Sequence, residues 1–377
     1  MFFFTALKSS ADDSPGICIG PCLAIGSAGS GGRSPVHTDA IEAQIISGAW
    51  QRPANGDRVQ LANGTSKEWS LATTNKDGWF TNDALDGGYA YVPVIAQSDC
   101  VMLLEAEGDD VVYMNGGIRP GDPYSYGYVH LPVSLHEGTN DFLFRCVYGQ
   151  FKFRLFSPPA PVSLNIADAT LPDLIAGEKM DTWGAVVVVN ATGETQTGLV
   201  IRCSITGKRT VETAVPAILP FSARKVGFHI RGNIPEMAGG SPQTIRGVLP
   251  DTPQNDSKEL KTDLQLTLLS KAAHGRMTLD HTNIAVRIRR PDQIQKRTFI
   301  SGIDGSVQYW ALNPAQPVHA EHPPLALFFS LHGASVEALG QAEAYEPKSW
   351  GNIVVPTNRR PYGFDWEDWG RLDALEV

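Results

Sequence analysis

The chain has 377 residues and a formal net charge of -9 at pH 7, with 31 basic against 40 acidic side chains. That balance excludes the basic stripe of a nucleic-acid binder. A hydrophobic content of 42% with 19% charged residues excludes wholesale disorder, and no apolar run approaches the roughly 18–20 residues of a membrane-spanning helix.

Two or three domains fit this length, and 37 glycines with 26 prolines point to short strands joined by tight turns. Residues 1–40 read as a flexible leader. In "MFFFTALK" the charge follows the apolar residues, and "SADDSPG" before "ICIGPCLAIGSAG" (17–29) is too acidic for a signal peptide. The compartment stays open on this reading, with a secreted or periplasmic location slightly ahead. Cys18 and Cys22 form a C-x3-C pair without a second pair nearby, so neither a metal nor another cofactor is expected. Cys100 and Cys146 fall in strand-like runs of one domain, and a disulfide between them stays open.

From 41 to 157, "GGYAYVPVIA", "CVMLLEAE", "DVVYMNGG", "YVHLPVSL" and "NDFLFRCVY" are strand-length and partly alternating. Asn115-Gly116 is a hairpin signal, because both residues tolerate positive φ. Strands at this spacing without long helices predict an antiparallel sandwich. The stretch Gly108 to Arg145, with its V-Y-x-N-G hairpin and later L-x-x-G-x-N-x-L, resembles the galactose-binding-like jelly roll attached to many hydrolases. That resemblance implies either a spacer or a carbohydrate-binding surface. The aromatic candidates for the second are Trp50, Trp69, Trp79, Tyr124, Tyr126 and Tyr128, with the three tyrosines expected on one face of a strand. Core filling is the competing role for such rings.

A proline-rich joint, "SPPAPVS" (157–163), separates this sandwich from a second set of alternating runs. Residues 161–290 are expected to form an immunoglobulin-like sandwich, with 232–259 as a long polar loop. From Arg297 the pattern changes. A hairpin with an Asp-Gly-Ser turn is followed by "PPLALFFSLHG", whose continuous apolar run predicts a strand buried on both faces. "VEALGQAEAY" reads as a helix with Ser335 as its cap, and "NIVVPTNRRPYG" as a second buried strand. "DWEDWGRLDALEV" reads as a helix opened by an Asp cap, with Trp366, Trp369, Leu372 and Leu375 on its apolar face. Strand, helix, strand, helix predicts a parallel sheet.

This order of elements over residues 295–377 resembles the start of the catalytic domain in the α/β-hydrolase superfamily, closest to its prolyl-oligopeptidase-like peptidases and esterases. The expected architecture is therefore multidomain: two mainly-β sandwiches, jelly-roll-like then immunoglobulin-like, followed by the incomplete start of an α/β-hydrolase fold. The resemblance implies that Gly333 permits a sharp turn and Ala334 supplies a backbone N–H to an oxyanion hole, with His332 in a structural role. No G-x-S-x-G is present, so the nucleophile, acid and base are expected beyond Val377. The chain then reads as the N-terminal fragment of a serine hydrolase acting on a peptide or ester, inactive by itself. The loop Asn358, Arg359, Arg360 could face substrate, or its arginines could pair with Asp365, Glu367 and Asp368. An unclosed sheet would expose an edge strand and apolar area. A carbohydrate- or surface-binding β-sandwich protein without catalysis is the alternative.

Overall fold

A computed structural model describes residues 16–30, 38–205, 210–234, 260–272, 275–316, 325–333, 336–359 and 366–377. The protein is mainly β, and its chain separates into two compact units. One contains 1–161 with 189–193 and 220–223; the other contains 162–188, 194–219 and 224–377.

The first unit is built on two large antiparallel sheets, with two further two-stranded pairings at Gly29–Ser30 with Thr38–Asp39 and Arg58–Gln60 with Ser66–Glu68. One runs in the order Gly117–Pro120, Asp109–Met114, Gly138–Cys146, Tyr89–Ala96, Leu23–Ile25, Ser70–Leu71, with Ile17–Ile19 also paired to Tyr89–Ala96. The other runs His130–Leu135, Cys100–Glu107, Gln150–Phe156, Phe80–Thr81, Thr73–Thr74. Period-two alternation sends Ala90, Val92, Val94 and Ala96 into one core with Met102, Leu104, Phe142, Phe144 and Phe151. Tyr89 and Tyr91 point the other way and join Ile25, Ile41, Trp69 and Leu143 in a second cluster. The helix Ala40–Ile46 supplies Ile41 and is capped by the Asp39 carboxylate, which accepts from Ile41 N at 2.8 Å and Glu42 N at 3.0 Å. Asn115 and Gly116 turn the expected hairpin at φ 48° and 82°.

One expectation changes here, and one point left open by the sequence is settled. Residues 17–25 lie inside the stretch read as a leader, yet they form sheet strands with Ala24 and Ile25 fully buried, because their apolar side chains complete the core. All five cysteines are free. Cys100 opens its strand opposite Leu135, while Cys146 lies opposite Asp109 at the far end of the sandwich. Seven residues of extended chain, roughly 23 Å, separate those ends, well beyond the reach of a disulfide.

In the second unit a three-stranded sheet (Val162–Thr170, Lys179–Asn190, Ser222–Asn233) faces a five-stranded one across a core of Val186, Val188, Ile201, Phe228, Leu264, Leu266 and neighbours. The four-stranded sheet that follows is fastened to this sandwich through Asp173. Its buried carboxylate accepts from Arg287 at 2.7 and 2.8 Å and from the Lys296 backbone N–H at 2.6 Å. Arg297 and Glu178 add a two-pronged pair at 2.8 and 2.9 Å.

That last sheet consists of β1 (Gln295–Ile300), β2 (Val307–Asn313), β3 (Ala326–Phe329) and β4 (Gly351–Pro356), in the order β1-β2-β4-β3. Helix α1 (Ala338–Glu343) connects β3 to β4, and α2 (Asp368–Glu376) follows β4. Only β3 and β4 are parallel; β1, β2 and β4 pair antiparallel, so the sheet is mixed where a parallel one was expected. Helix α1 lays Ala338 and Ala342 on Tyr309, Ala311, Ile353 and Val355. β3 is an edge strand, not a strand buried on both faces: Leu327 is 62% exposed, Phe328 42% and Phe329 45%.

Both helices are capped differently from the sequence reading. Glu337 and Glu367 occupy the cap positions without a capping side-chain bond, and the Glu337 carboxylate instead accepts from the Tyr309 hydroxyl. Ser335 and Asp365 lie outside the described residues. The apolar stripe of α2 also faces outward, with Trp369, Leu372 and Leu375 exposed and Gly370 and Asp373 buried. Gly370 permits this, since a Cβ there would lie 1.9 Å from Asn358 Oδ1.

Candidate functional site

Two loops emerge side by side from the carboxyl ends of the parallel strands β3 and β4, the position where α/β sheets gather ligands. The first begins at Ser330, whose N–H bonds Val354 O at 2.9 Å. Ser330 Oγ, Tyr345 OH and Gln341 Nε2 form a closed triangle with sides of 2.9, 3.0 and 2.9 Å. This fastens the end of β3 to α1. The cluster escaped the sequence reading because its members are spread over 15 residues with no motif.

His332 follows, 9% exposed. Its Nδ1 lies 3.0 Å from Gly333 O and its Nε2 3.2 Å from Thr357 O. Trp366 packs edge-on against the ring, with centroids 5.0 Å apart, and donates its indole N–H to His332 O at 2.8 Å. Both ring nitrogens therefore face backbone carbonyls, and the side chain staples the loop after β3 to the loop after β4. Gly333 is exposed; its φ is outside the left-handed region and a Cβ would meet nothing within 4 Å. Neither crowding nor φ requires glycine there. Ala334, the expected N–H donor, lies outside the described residues.

In the second loop Asn358 and Arg359 are both left-handed, at φ 61° and 49°. The Asn358 N–H bonds Asp373 Oδ2 at 2.8 Å. Arg359 is 8% exposed, and its guanidinium reaches Asp304 at 3.1 Å, Ser306 at 3.0 Å, Glu376 at 3.2 Å and Asp373 at 3.7 Å, besides Ser301. These partners, and not Glu367 or Asp368, are the ones the described residues supply, with Asp365 lying outside them; Arg359 clamps the β1–β2 turn to α2. Burial works to raise the Asp304 carboxyl, but the Ser306 hydrogen bonds and the Arg359 charge outweigh it and hold the group below the usual range. At Asp373 burial wins, and the carboxyl sits above that range despite Asn358 N–H and Arg359. Arg360 lies outside the described residues.

The aromatic candidates of the first sandwich divide. Trp69 is buried, and Trp50 packs edge-on against Tyr91 at 5.7 Å. Trp79 lies under the Lys152 ammonium at 4.7 Å. Tyr124, Tyr126 and Tyr128 stay together as a ladder with ring centroids 5.8 and 5.0 Å apart, Tyr124 and Tyr126 being 41% and 38% exposed. They sit on a loop, not on a strand. Ser125 and Gly127 at φ 54° and 67°, together with the Gly127 N–H donated to Asp122 Oδ2 at 2.7 Å, turn the rings to one side. Among the described residues no group of three or more His, Cys, Asp or Glu could hold a metal ion.

No family model matches the chain, and no curated protein matches it. It is similar to solved structures at low scores. A glycosyl hydrolase family 2 member from Bacteroides cellulosilyticus aligns at TM-score 0.27 and 11% identity, over 83% of this chain and 39% of that one. A GH2 β-galacturonidase from Eisenbergiella tayi bound to glycerol aligns at 0.32 and 10%, over 86% and 49%. A thermostable esterase aligns at 0.15 and 14%, over 53% and 57%. The chain thus spans less than half of the glycosidase chains it aligns with. Scores this low assign it neither a family nor an activity.

Proposed function

We propose that this chain is the amino-terminal portion of a serine hydrolase, a peptidase or carboxylesterase working through an acyl-enzyme, whose nucleophile, acid and base belong to polypeptide outside this sequence. The observation that carries the reading is the stapled pair of loops at the carboxyl ends of β3 and β4. A tetrahedral intermediate needs preorganised N–H donors, and losing one costs about 2.7–4 kcal/mol. In α/β-hydrolases one donor comes from the loop after the third strand; here the corresponding loop is tied down by His332, Trp366 and the Ser330 triangle, and the family resemblance assigns the donor to Ala334. The apolar edge of β3 supports the same reading, because Leu327, Phe328 and Phe329 suit a further strand.

A fluorophosphonate probe tests it. The 377-residue chain should remain unlabelled, and strong labelling at any of its own serines would overturn the proposal. A longer gene product should label at a serine after Val377, and Ala334→Pro should slow that labelling by about 10²–10³-fold.

A second reading, carbohydrate binding without catalysis, is favoured by the Tyr124–Tyr126–Tyr128 ladder, since the exposed rings of Tyr124 and Tyr126 suit sugar faces. Glycan binding lost on Tyr126→Ala would support it, and binding untouched by that change would exclude the ladder.

A further inference from the structure

Three Asn-Gly pairs occur in the chain, at 55–56, 63–64 and 115–116, and all three asparagines lie exposed on turns of the first unit. We propose that Asn63, and not Asn55 or Asn115, is a site of spontaneous covalent modification, in which the Gly64 backbone nitrogen converts the Asn63 side chain through a succinimide into aspartate and isoaspartate. The inference depends neither on the hydrolase reading nor on the tyrosine ladder.

The turn at 61–65 brings the reacting groups together. Leu61 N bonds Thr65 O at 2.8 Å and closes the hairpin between Arg58–Gln60 and Ser66–Glu68. At its tip Asn63 Oδ1 accepts from the Thr65 N–H at 3.0 Å and from the Thr65 hydroxyl at 2.7 Å. These bonds fold the side chain back over its own backbone, with Cγ beside the Gly64 nitrogen. The side-chain amide nitrogen, which must leave, has no partner among the described residues. Gly64 takes φ 82°, and a Cβ there would meet nothing within 4 Å, so neither a side chain nor a neighbour screens the attacking nitrogen. Its N–H is held only across this exposed turn, by Leu61 O at 3.0 Å.

The step needs only water and a base. Loss of the Gly64 N–H proton lets that nitrogen bond to Asn63 Cγ; the Cγ–Nδ2 bond breaks, and ammonia leaves carrying the proton. Water then opens the ring at either carbonyl, giving aspartate or isoaspartate and one more negative charge. The two Thr65 donors stabilise the oxygen that gains charge as the nitrogen adds, as preorganised donors do at a tetrahedral intermediate. The other two pairs lack this arrangement. Asn115 is gripped across the sheet, its Oδ1 accepting from Asp141 N at 2.8 Å and its Nδ2 donating to Asn140 Oδ1 at 3.0 Å. Asn55 Oδ1 accepts from Leu71 N at 3.1 Å, and the Gly56 N–H is bound to the carbonyl of the buried Trp69 at 2.8 Å.

The test is the full 377-residue chain aged at mildly alkaline pH, then digested in acid and mapped by mass spectrometry, with isoaspartate detected by enzymatic carboxyl methylation. Asn63 should convert about tenfold or more faster than Asn55 and Asn115, the effect of one or two hydrogen bonds on a rate. In urea the three rates should converge, because the turn and the cross-strand bonds are gone. Thr65→Val, which removes the hydroxyl donor and keeps the N–H, should slow conversion of Asn63 roughly three- to tenfold, and Asn63→Gln should abolish it. Both changes lie on an exposed turn, so the urea midpoint of fresh protein should stay where it is. Equal rates at the three sites in the folded chain, the same ranking in urea, a Thr65→Val rate equal to that of the unaltered chain, or aspartate formed without isoaspartate would each overturn the proposal.

Discussion

The first sandwich and the carboxyl-terminal sheet are both apolar β structures, but only the first buries what it carries. Phe142, Phe144 and Phe151 are fully buried between two sheets, whereas Leu327, Phe328 and Phe329 are 62%, 42% and 45% exposed on the edge strand β3. Burying such a side chain fully contributes about 1.5–3 kcal/mol, and β3 forgoes much of that. A strand's apolar content therefore measures its demand for cover, while the number of neighbouring layers decides whether the demand is met. In this protein polar clamps at Arg359, Asp173 and His332 hold the last sheet where apolar packing is thin.

The contrast can be broken most forcefully in the core. Phe144→Ala should cost about 3–5 kcal/mol, read as a lower urea midpoint, and a cost below 1 kcal/mol would deny that this sandwich is closed. Arg359→Ala should cost a similar 3–5 kcal/mol locally, since it strands the buried Asp373 carboxylate. Hydrogen exchange should show the opening confined to the β1–β2 turn and α2, and Asp373→Asn should recover part of the loss.

A smaller effect depends on pH. Burial raises the Asp109 carboxyl to about 7, against about 3.9 in an unfolded chain. The folded state binds this proton more tightly, so its contribution is complete below about pH 4 and is lost as pH rises through about 7. The slope in that window is at most about 1.4 kcal/mol per pH unit. Asp109→Asn should flatten the dependence of the urea midpoint between about pH 4 and 7; an unchanged slope would show that Asp109 is not its source. The smallest expected change is at the exposed edge. Leu327→Lys should alter stability by no more than about 0.5 kcal/mol while reducing self-association in sedimentation, because a charged edge resists strand pairing.

Much of the fold was legible because alternation is local. The hairpin at Asn115-Gly116 and the strand–helix–strand succession after β2 could be read from neighbouring residues alone. The candidate site was legible only in part. The His332 turn stood out as an apolar run ending in a polar hinge, but Arg359 reads the same whether it serves a substrate or a clamp. Its partners Ser301, Asp304 and Glu376 lie up to 58 residues away, and no short-range pattern ties them together.

The sequence by itself determined the β-rich character, the turn positions and the absence of a G-x-S-x-G elbow, all of which depend on residue type and local spacing. Only the tertiary structure decided that residues 17–25 complete a sheet, that the apolar stripe of α2 faces outward, and that β3 is an edge. Those outcomes depend on which surfaces meet. Hydrophobic attraction is non-directional, so a strand's composition does not specify the layer that covers it.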